Sequence, residues 1–137
     1  MGLKIEKVSK REYKLLEDIT VDANGYEITI KKGFVFDGAS IPQFLWSFIG
    51  SPFTGNYTLA ALVHDALYRS NSFNRKNADK IFLALMKQDG VSFFKRRSMY
   101  LGVRFGGSSS WTNRTKDEIK KAKQFMKIKR SKWWKEY

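Results

Sequence analysis

Ile19-Thr20-Val21-Asp22-Ala23-Asn24-Gly25-Tyr26-Glu27-Ile28-Thr29-Ile30 is the stretch that decides the fold class. Ile19, Val21 and Ala23 alternate with polar residues, and Tyr26, Ile28 and Ile30 do so again. Successive strand side chains point to opposite faces, so this alternation describes strands with one face buried. Asn24-Gly25 between the two runs supplies residues that tolerate positive φ, as a tight hairpin turn demands. The pattern predicts a hairpin within a β region spanning residues 13 to 36. Lys31-Lys32-Gly33 then turns the chain into a short apolar strand, Phe34-Val35-Phe36.

Downstream the period changes. Asp37-Gly38-Ala39-Ser40-Ile41-Pro42 reads as a tight loop, in which Gly38 permits positive φ and Pro42 fixes an extended lead-in or the first turn of a helix. Gln43 to Ile49 is expected as a short apolar helix, broken by Gly50-Ser51-Pro52. Asn56 to Ser70 carries Leu59, Leu62, Val63, Ala66 and Leu67 at helical spacing. Asn74 is placed to cap a helix running to about Gln88, which Asp89-Gly90 ends. Ser92 is placed to cap a third helix, in which Phe94, Ser98, Leu101 and Phe105 share a face. Gly106-Gly107-Ser108-Ser109-Ser110 reads as a flexible loop. Thr115 and Glu118 form a capping-box pattern opening a last helix, with Ile119, Ala122 and Met126 on one side. The fold class is therefore α+β: an N-terminal hairpin or small antiparallel sheet packed beside three to four helices. Residues 1–111 are expected to form one domain and residues 112–137 a basic helical tail.

The chain has 137 residues and no cysteine, so disulfides and thiolate metal sites are excluded. No apolar run reaches the roughly 18 residues of a membrane helix. The first residues lack the apolar stretch of a signal peptide, and the expectation is a protein that is neither secreted nor membrane-spanning. The net charge is +13, and residues 114 to 137 hold ten basic and three acidic side chains. Such a field attracts polyanions: nucleic acid, nucleotides or anionic lipid headgroups. A solvated surface is the plainer explanation. In the tail, Trp133 and Trp134 stand among Lys129, Arg130 and Lys132, a mixture that suits lipid interfaces and base stacking alike. The alternative is an aromatic anchor folding the tail onto the core.

Chemistry centres on the one histidine, His64. His64 and Tyr68 are four apart and share a helical face, with Asp65 rotated by about 100°. Asp79 opens the next helix, and a short turn between the two helices brings it back against His64. An imidazole oriented by a carboxylate and a tyrosine hydroxyl can act as a general base on water. Asp65, a second carboxylate in an apolar helix, is then left for a metal. The alternative is a satisfied core histidine, with Asp79 favouring a helix dipole. Asp37 and Ser40, at the end of an apolar strand, are expected at the mouth of the same site as substrate-binding residues. Ser40 as a nucleophile with His64 and Asp37 or Asp79 ranks lower, because Gly38-Ala39-Ser40-Ile41-Pro42 is no nucleophile elbow. The Gly/Ser run after Arg104 lacks the lysine of a phosphate loop.

Gly33 to Pro42, His64-Asp65 with Tyr68, Ala78-Asp79 with Phe82, Tyr100, and Gly106 to Trp111 together resemble a family of small uncharacterised phage and prophage proteins. The resemblance covers roughly residues 12 to 111 and leaves the basic tail outside it. It implies a phage or prophage origin, with action in the cytoplasm of an infected host cell or in the virion. A second, local resemblance is to the His-Asp-x-x-Tyr core of phospholipases A2. It implies His64 as the base, Asp65 as ligand of a divalent cation such as Ca2+, and Tyr68 and Asp79 as the pair orienting His64. The calcium loop of that family has no good counterpart in Asp37 to Ser40 or Gly50 to Pro52. The function expected is hydrolysis of an acyl ester. The alternative is a non-catalytic phage protein that binds nucleic acid or a signalling nucleotide of host defence, or that assembles into a virion.

Overall fold

The computed structural model describes residues 3–45 and 57–131. The predicted hairpin is present: β3 (Ile19–Ala23) pairs antiparallel with β4 (Tyr26–Ile30) in the register Ala23↔Tyr26. Asn24 and Gly25 hold φ of 52° and 84°, as a two-residue turn with both φ positive requires. Alternation sets the two faces. Val21, Ala23, Ile28 and Ile30 are buried, while Thr20 and Thr29 meet across the outer face at 2.9 Å.

The third strand of that sheet comes from far along the chain. β6 (Met126–Arg130) lies antiparallel beside β4, giving the order β3-β4-β6. The tail is therefore not a helix throughout: the last helix stops at Lys123, and Met126 lies on a strand. Met126-Lys127-Ile128-Lys129-Arg130 alternates with period two, and the open edge of β4 rewards that alternation with backbone hydrogen bonds. A second antiparallel sheet has the order β1-β2-β5, from β1 (Ile5–Lys7), β2 (Tyr13–Leu15) and β5 (Val35–Phe36).

Five helical segments complete the described residues: α1 (Thr58–Arg69), α2 (Arg75–Gln88), α3 (Phe93–Gly106), α4 (Ser108–Thr112) and α5 (Lys116–Lys123). α1 is central. Every residue from Ala60 to Tyr68 is buried, so it has no solvent face, and it packs against α2, α4, α5 and β5. Phe36, Ile41, Leu62, Leu67, Ile81, Phe82, Leu85 and Met86 fill the space around it. Each such side chain contributes about 1.5–3 kcal/mol of burial.

Local signals fare unevenly. The Asn74 side chain caps α2 by accepting from Asn77 N at 2.8 Å. Gly90, with φ 81°, follows its end, and Thr115 with Glu118 makes the full capping box of α5. Ser92 stands at the start of α3, but its side chain makes no capping bond. The Gly/Ser run is not a loop: Gly106 ends α3 and Ser108 begins α4, because Trp111 packs edge-on against Tyr68 and anchors that turn. Gln43–Leu45 is one 3-10 turn, and the rest of the helix expected to Ile49, its Gly50–Pro52 break and Asn56 lie outside the described residues. Among the described residues no helix is long and apolar enough to cross a membrane.

Candidate functional site

α1 and α2 are joined by a turn in which Asn71 and Phe73 take left-handed φ of 48° and 62°. That conformation strains a phenylalanine. The Phe73 ring packs on Tyr26 with centroids 4.8 Å apart, which helps to offset it. The turn lays Asp79 against His64. His64 Nε2 and Asp79 Oδ1 are 2.7 Å apart, and the Tyr68 hydroxyl donates to the same oxygen at 2.7 Å. On the other side of the imidazole, Ser40 Oγ lies 2.9 Å from Nδ1. An ionised carboxylate only accepts, so Nε2 carries the ring proton and Nδ1 accepts from the serine hydroxyl. The Tyr68 and Phe82 rings flank the imidazole at centroid distances of 4.3 and 4.6 Å and hold its plane.

The second oxygen of Asp79 faces two arginines that the sequence motifs leave out. Arg104, from α3, donates to Oδ2 at 2.7 Å, and Arg75, one helical turn before Asp79, lies 3.7 Å from it. Arg75 also donates to the carbonyls of Val103 and Arg104, both at 3.1 Å, which clamps the end of α3. The i,i+4 spacing of Arg75 and Asp79 is a signal legible in the sequence. Arg104 gives none, because its partner lies 25 residues away.

Asp65 closes the other half of the network. Its carboxylate accepts from the backbone amides of Ser40, at 3.1 Å, and Asp37, at 3.3 Å, and lies 3.4 Å from Arg69 Nε. Arg69 NH2 in turn pairs with Asp37 Oδ1 at 2.9 Å, and the same oxygen accepts from Ala39 N. Asp65 thus folds the loop 37–40 over His64 and presents Ser40 to it. Three carboxylates (Asp37, Asp65, Asp79) face three guanidiniums (Arg69, Arg75, Arg104), so the cluster is neutral with His64 uncharged. The groups meeting Asp65 are N–H donors and a cation, a set that does not fit a calcium ion, which takes oxygen ligands.

The sequence-derived site residues separate into three sets. His64, Tyr68, Asp79 and Ser40 come together, Asp37 and Asp65 brace the loop above them, and Ser40, His64, Asp65, Tyr68 and Asp79 are all 0% exposed. Asp37 also lines a hollow of about 250 Å³ on the outer side of the loop, with Arg11, Ala39, Ile41, Pro42 and Gln43. Lys129 and Arg130 are remote, on β6, where Lys129 pairs with Glu27 at 3.2 Å and Arg130 covers the Tyr26 ring. Lys132, Trp133 and Trp134 lie outside the described residues.

Electrostatics follow from this geometry. Burial alone would raise the Asp79 carboxyl, but the His64, Tyr68 and Arg104 interactions outweigh it and hold the group below its usual value. Burial, then the bond to Asp79, pushes the Tyr68 phenol up, so it stays a donor. Burial would lower the Arg69 guanidinium, but Asp65 and Asp37 raise it. For Asp79 the folded value lies below the unfolded one. Its contribution to stability is complete above about pH 4, the unfolded carboxylate value, and is lost as pH falls through the folded value. Circular dichroism followed from pH 6 downward should show stability falling below about pH 4, and Asp79→Asn should flatten that limb.

Comparison with known proteins bears on family and not on activity. The chain is 36% identical over 105 residues to the uncharacterised protein y4jT of Sinorhizobium fredii (strain NBRC 101917 / NGR234), covering 76% of this chain and 31% of that protein. It is 32% identical over 83 residues to y4iH of the same strain, also uncharacterised, covering 61% of this chain and 35% of that one. The chain thus spans about a third of the length of these relatives. No solved structure matches it. A family model matches residues 13–103, from β2 to the last turn of α3, and so takes in Asp37, Ser40, His64, Asp65, Tyr68, Asp79 and Arg75. The chain belongs to DUF1353, a family described as proteins of unknown function.

Proposed function

We propose that the chain is a phage- or prophage-encoded hydrolase of acyl esters in which His64 is the general base. One observation carries this reading: the imidazole is suspended between the Ser40 hydroxyl and the Asp79 carboxylate, with the tautomer that leaves Nδ1 free to accept a proton from the hydroxyl. In the step this permits, Ser40 Oγ attacks the ester carbonyl carbon while its proton passes to Nδ1. The carbonyl π pair moves to oxygen. When that pair returns, the C–O bond to the alcohol breaks, and the proton on His64 goes to the departing alkoxide. Water, deprotonated by His64, then cleaves the acyl-serine and restores the hydroxyl. Asp79 stabilises the transient imidazolium, and Tyr68, Arg75 and Arg104 fix Asp79. The amides of Asp37, Ala39, Ser40 and Ile41 are all engaged within the loop or by Asp65. The basic side chain lining the adjoining hollow is Arg11, the candidate to meet the oxyanion. The pairing of His64 with Asp79 and Tyr68 parallels the orienting role that phospholipases A2 give these residue types, so a phospholipid ester is the substrate class proposed.

A second reading has its own support in burial. Ser40, His64 and Asp79 expose no surface, which suits a polar keystone that locks the loop to α1 and α2. Function then rests on the cationic surface, binding nucleic acid or a nucleotide without catalysis.

Ser40→Ala separates the two. Under the hydrolase reading it removes the nucleophile and lowers turnover of a soluble short-chain ester by about 10⁴–10⁶-fold, while the thermal midpoint stays within a few degrees. A wild-type protein that turns over no short-chain or phospholipid ester, with Ser40→Ala altering only stability, would establish the keystone instead.

A further inference from the structure

We infer that α3 is a docking surface for an anionic phospholipid membrane. The helix carries two faces with opposite fates. Met99, Gly102 and Val103 are buried, and a Cβ on Gly102 would collide with the Leu45 side chain, so the inner face lies flat on the body of the protein. The outer face holds Phe94, Leu101 and Phe105, which are 72%, 53% and 85% exposed. They are spaced seven and four residues apart and form one line along the helix. Phe44, itself largely exposed, sits beside Gly106 and extends this line at its C-terminal end. Large aromatic side chains in a contiguous exposed stripe are uncommon on a surface that only meets water.

Charge selects the occupant. α3 contains Lys95, Arg96, Arg97 and Arg104 and no acidic residue. Arg104 is held inward by Asp79, Lys95 and Arg97 are exposed, and Arg96 is half-buried where it donates to the Val91 carbonyl. Arg96 and Arg97 stack over the Phe93 ring at 5.2 and 5.4 Å. On the flank of α3 that faces α2, a hollow of about 580 Å³ is lined by Lys80, Lys87, Arg96 and Arg97, with Phe93 and Tyr100, and by no carboxylate. A helix lying in the plane of a bilayer needs this combination: aromatic and aliphatic side chains that enter the acyl boundary, and cations beside them for headgroup phosphates. The surface deepens the esterase reading and rests on it for its purpose, because Arg104 ties the same helix to the Asp79 side of the site. Vesicle binding itself requires no turnover.

The test is co-sedimentation of the full chain with phosphatidylglycerol vesicles and with phosphatidylcholine vesicles, at low and at moderate salt. Wild-type protein is expected on the anionic vesicles, weakening with salt. Leu101→Ser/Phe105→Ser, with an unchanged circular-dichroism melt, should lower the partition coefficient at least tenfold, and Arg96→Glu/Arg97→Glu should do the same. Both variants should hydrolyse a soluble short-chain ester as the wild type does, so loss of docking is distinguishable from failure of the esterase reading. Undiminished vesicle binding in both variants would overturn the proposal. So would equal binding to the neutral vesicles, or a wild-type dimer in light scattering that Leu101→Ser/Phe105→Ser converts to monomer.

Discussion

Asp79→Ala should cost the fold about 3–5 kcal/mol, the range for breaking a buried ion pair by deleting one partner. The side chain is fully buried and gathers four donors from three helices: His64 and Tyr68 on one oxygen, Arg104 and Arg75 on the other. Truncation leaves a fully buried imidazole N–H and phenol without acceptors, and takes the counter-charge from two half-buried guanidiniums. A domain this small has about 5–15 kcal/mol in total, so a fall of about 10–20 °C in the thermal midpoint is expected. Asp79→Asn keeps the volume and one acceptor and should fall between wild type and alanine. A midpoint within two or three degrees of wild type for Asp79→Ala would mean that the arginines and Tyr68 find other partners, and that the network is looser than its distances indicate.

Phe82→Ala should cost a comparable amount, about 3–5 kcal/mol, through lost burial plus the cavity left behind. Phe82 is fully buried on α2, and its ring lies 4.6 Å from the imidazole of His64. The hole therefore opens against the imidazole itself. Two readouts distinguish this position from an ordinary core residue. Phe82→Leu should recover most of the stability, because it refills most of the volume. In Phe82→Ala the His64 ring loses one of the two walls that fix its plane, so its ring-proton NMR chemical shifts should lose the contribution of the Phe82 ring and broaden as the imidazole gains freedom. Sharp His64 ring-proton signals in a destabilised variant would show that Tyr68 and the two hydrogen bonds orient the ring without Phe82.

Much of this is readable in the chain because it is local. The hairpin follows from alternation around Asn24-Gly25, and the approach of Asp79 to His64 follows from helical spacing and a short turn. Ser40 reaches the site as expected, yet its amide matters as much as its hydroxyl, since Asp65 holds the loop by its backbone. A carboxylate in an apolar helix invites a metal; here amides and Arg69 occupy it, and no sequence period reveals amide donors. Arg104 passes for one more surface charge in the sequence, because only the tertiary fold lays α3 across Asp79. The capping box at Thr115 marks the start of α5 correctly but says nothing of where a helix ends. The strand after it declares itself only through its alternation and the vacant edge of β4.

That strand also sets an order of events. The hairpin β3-β4 can form as soon as residues 19–30 are made, but Ile30 must wait for Met126 before its far edge is paired. Throughout synthesis the nascent sheet presents an open edge carrying Ile28 and Ile30, the kind that recruits strands from other chains. Pairing so distant in sequence also slows the closing step relative to the helices, which assemble from near neighbours. The protein is thus committed to completing its sheet last. Its period of greatest exposure to aggregation ends only when the Met126–Arg130 segment arrives, and the alternating lysines of that segment face outward on the edge it leaves behind.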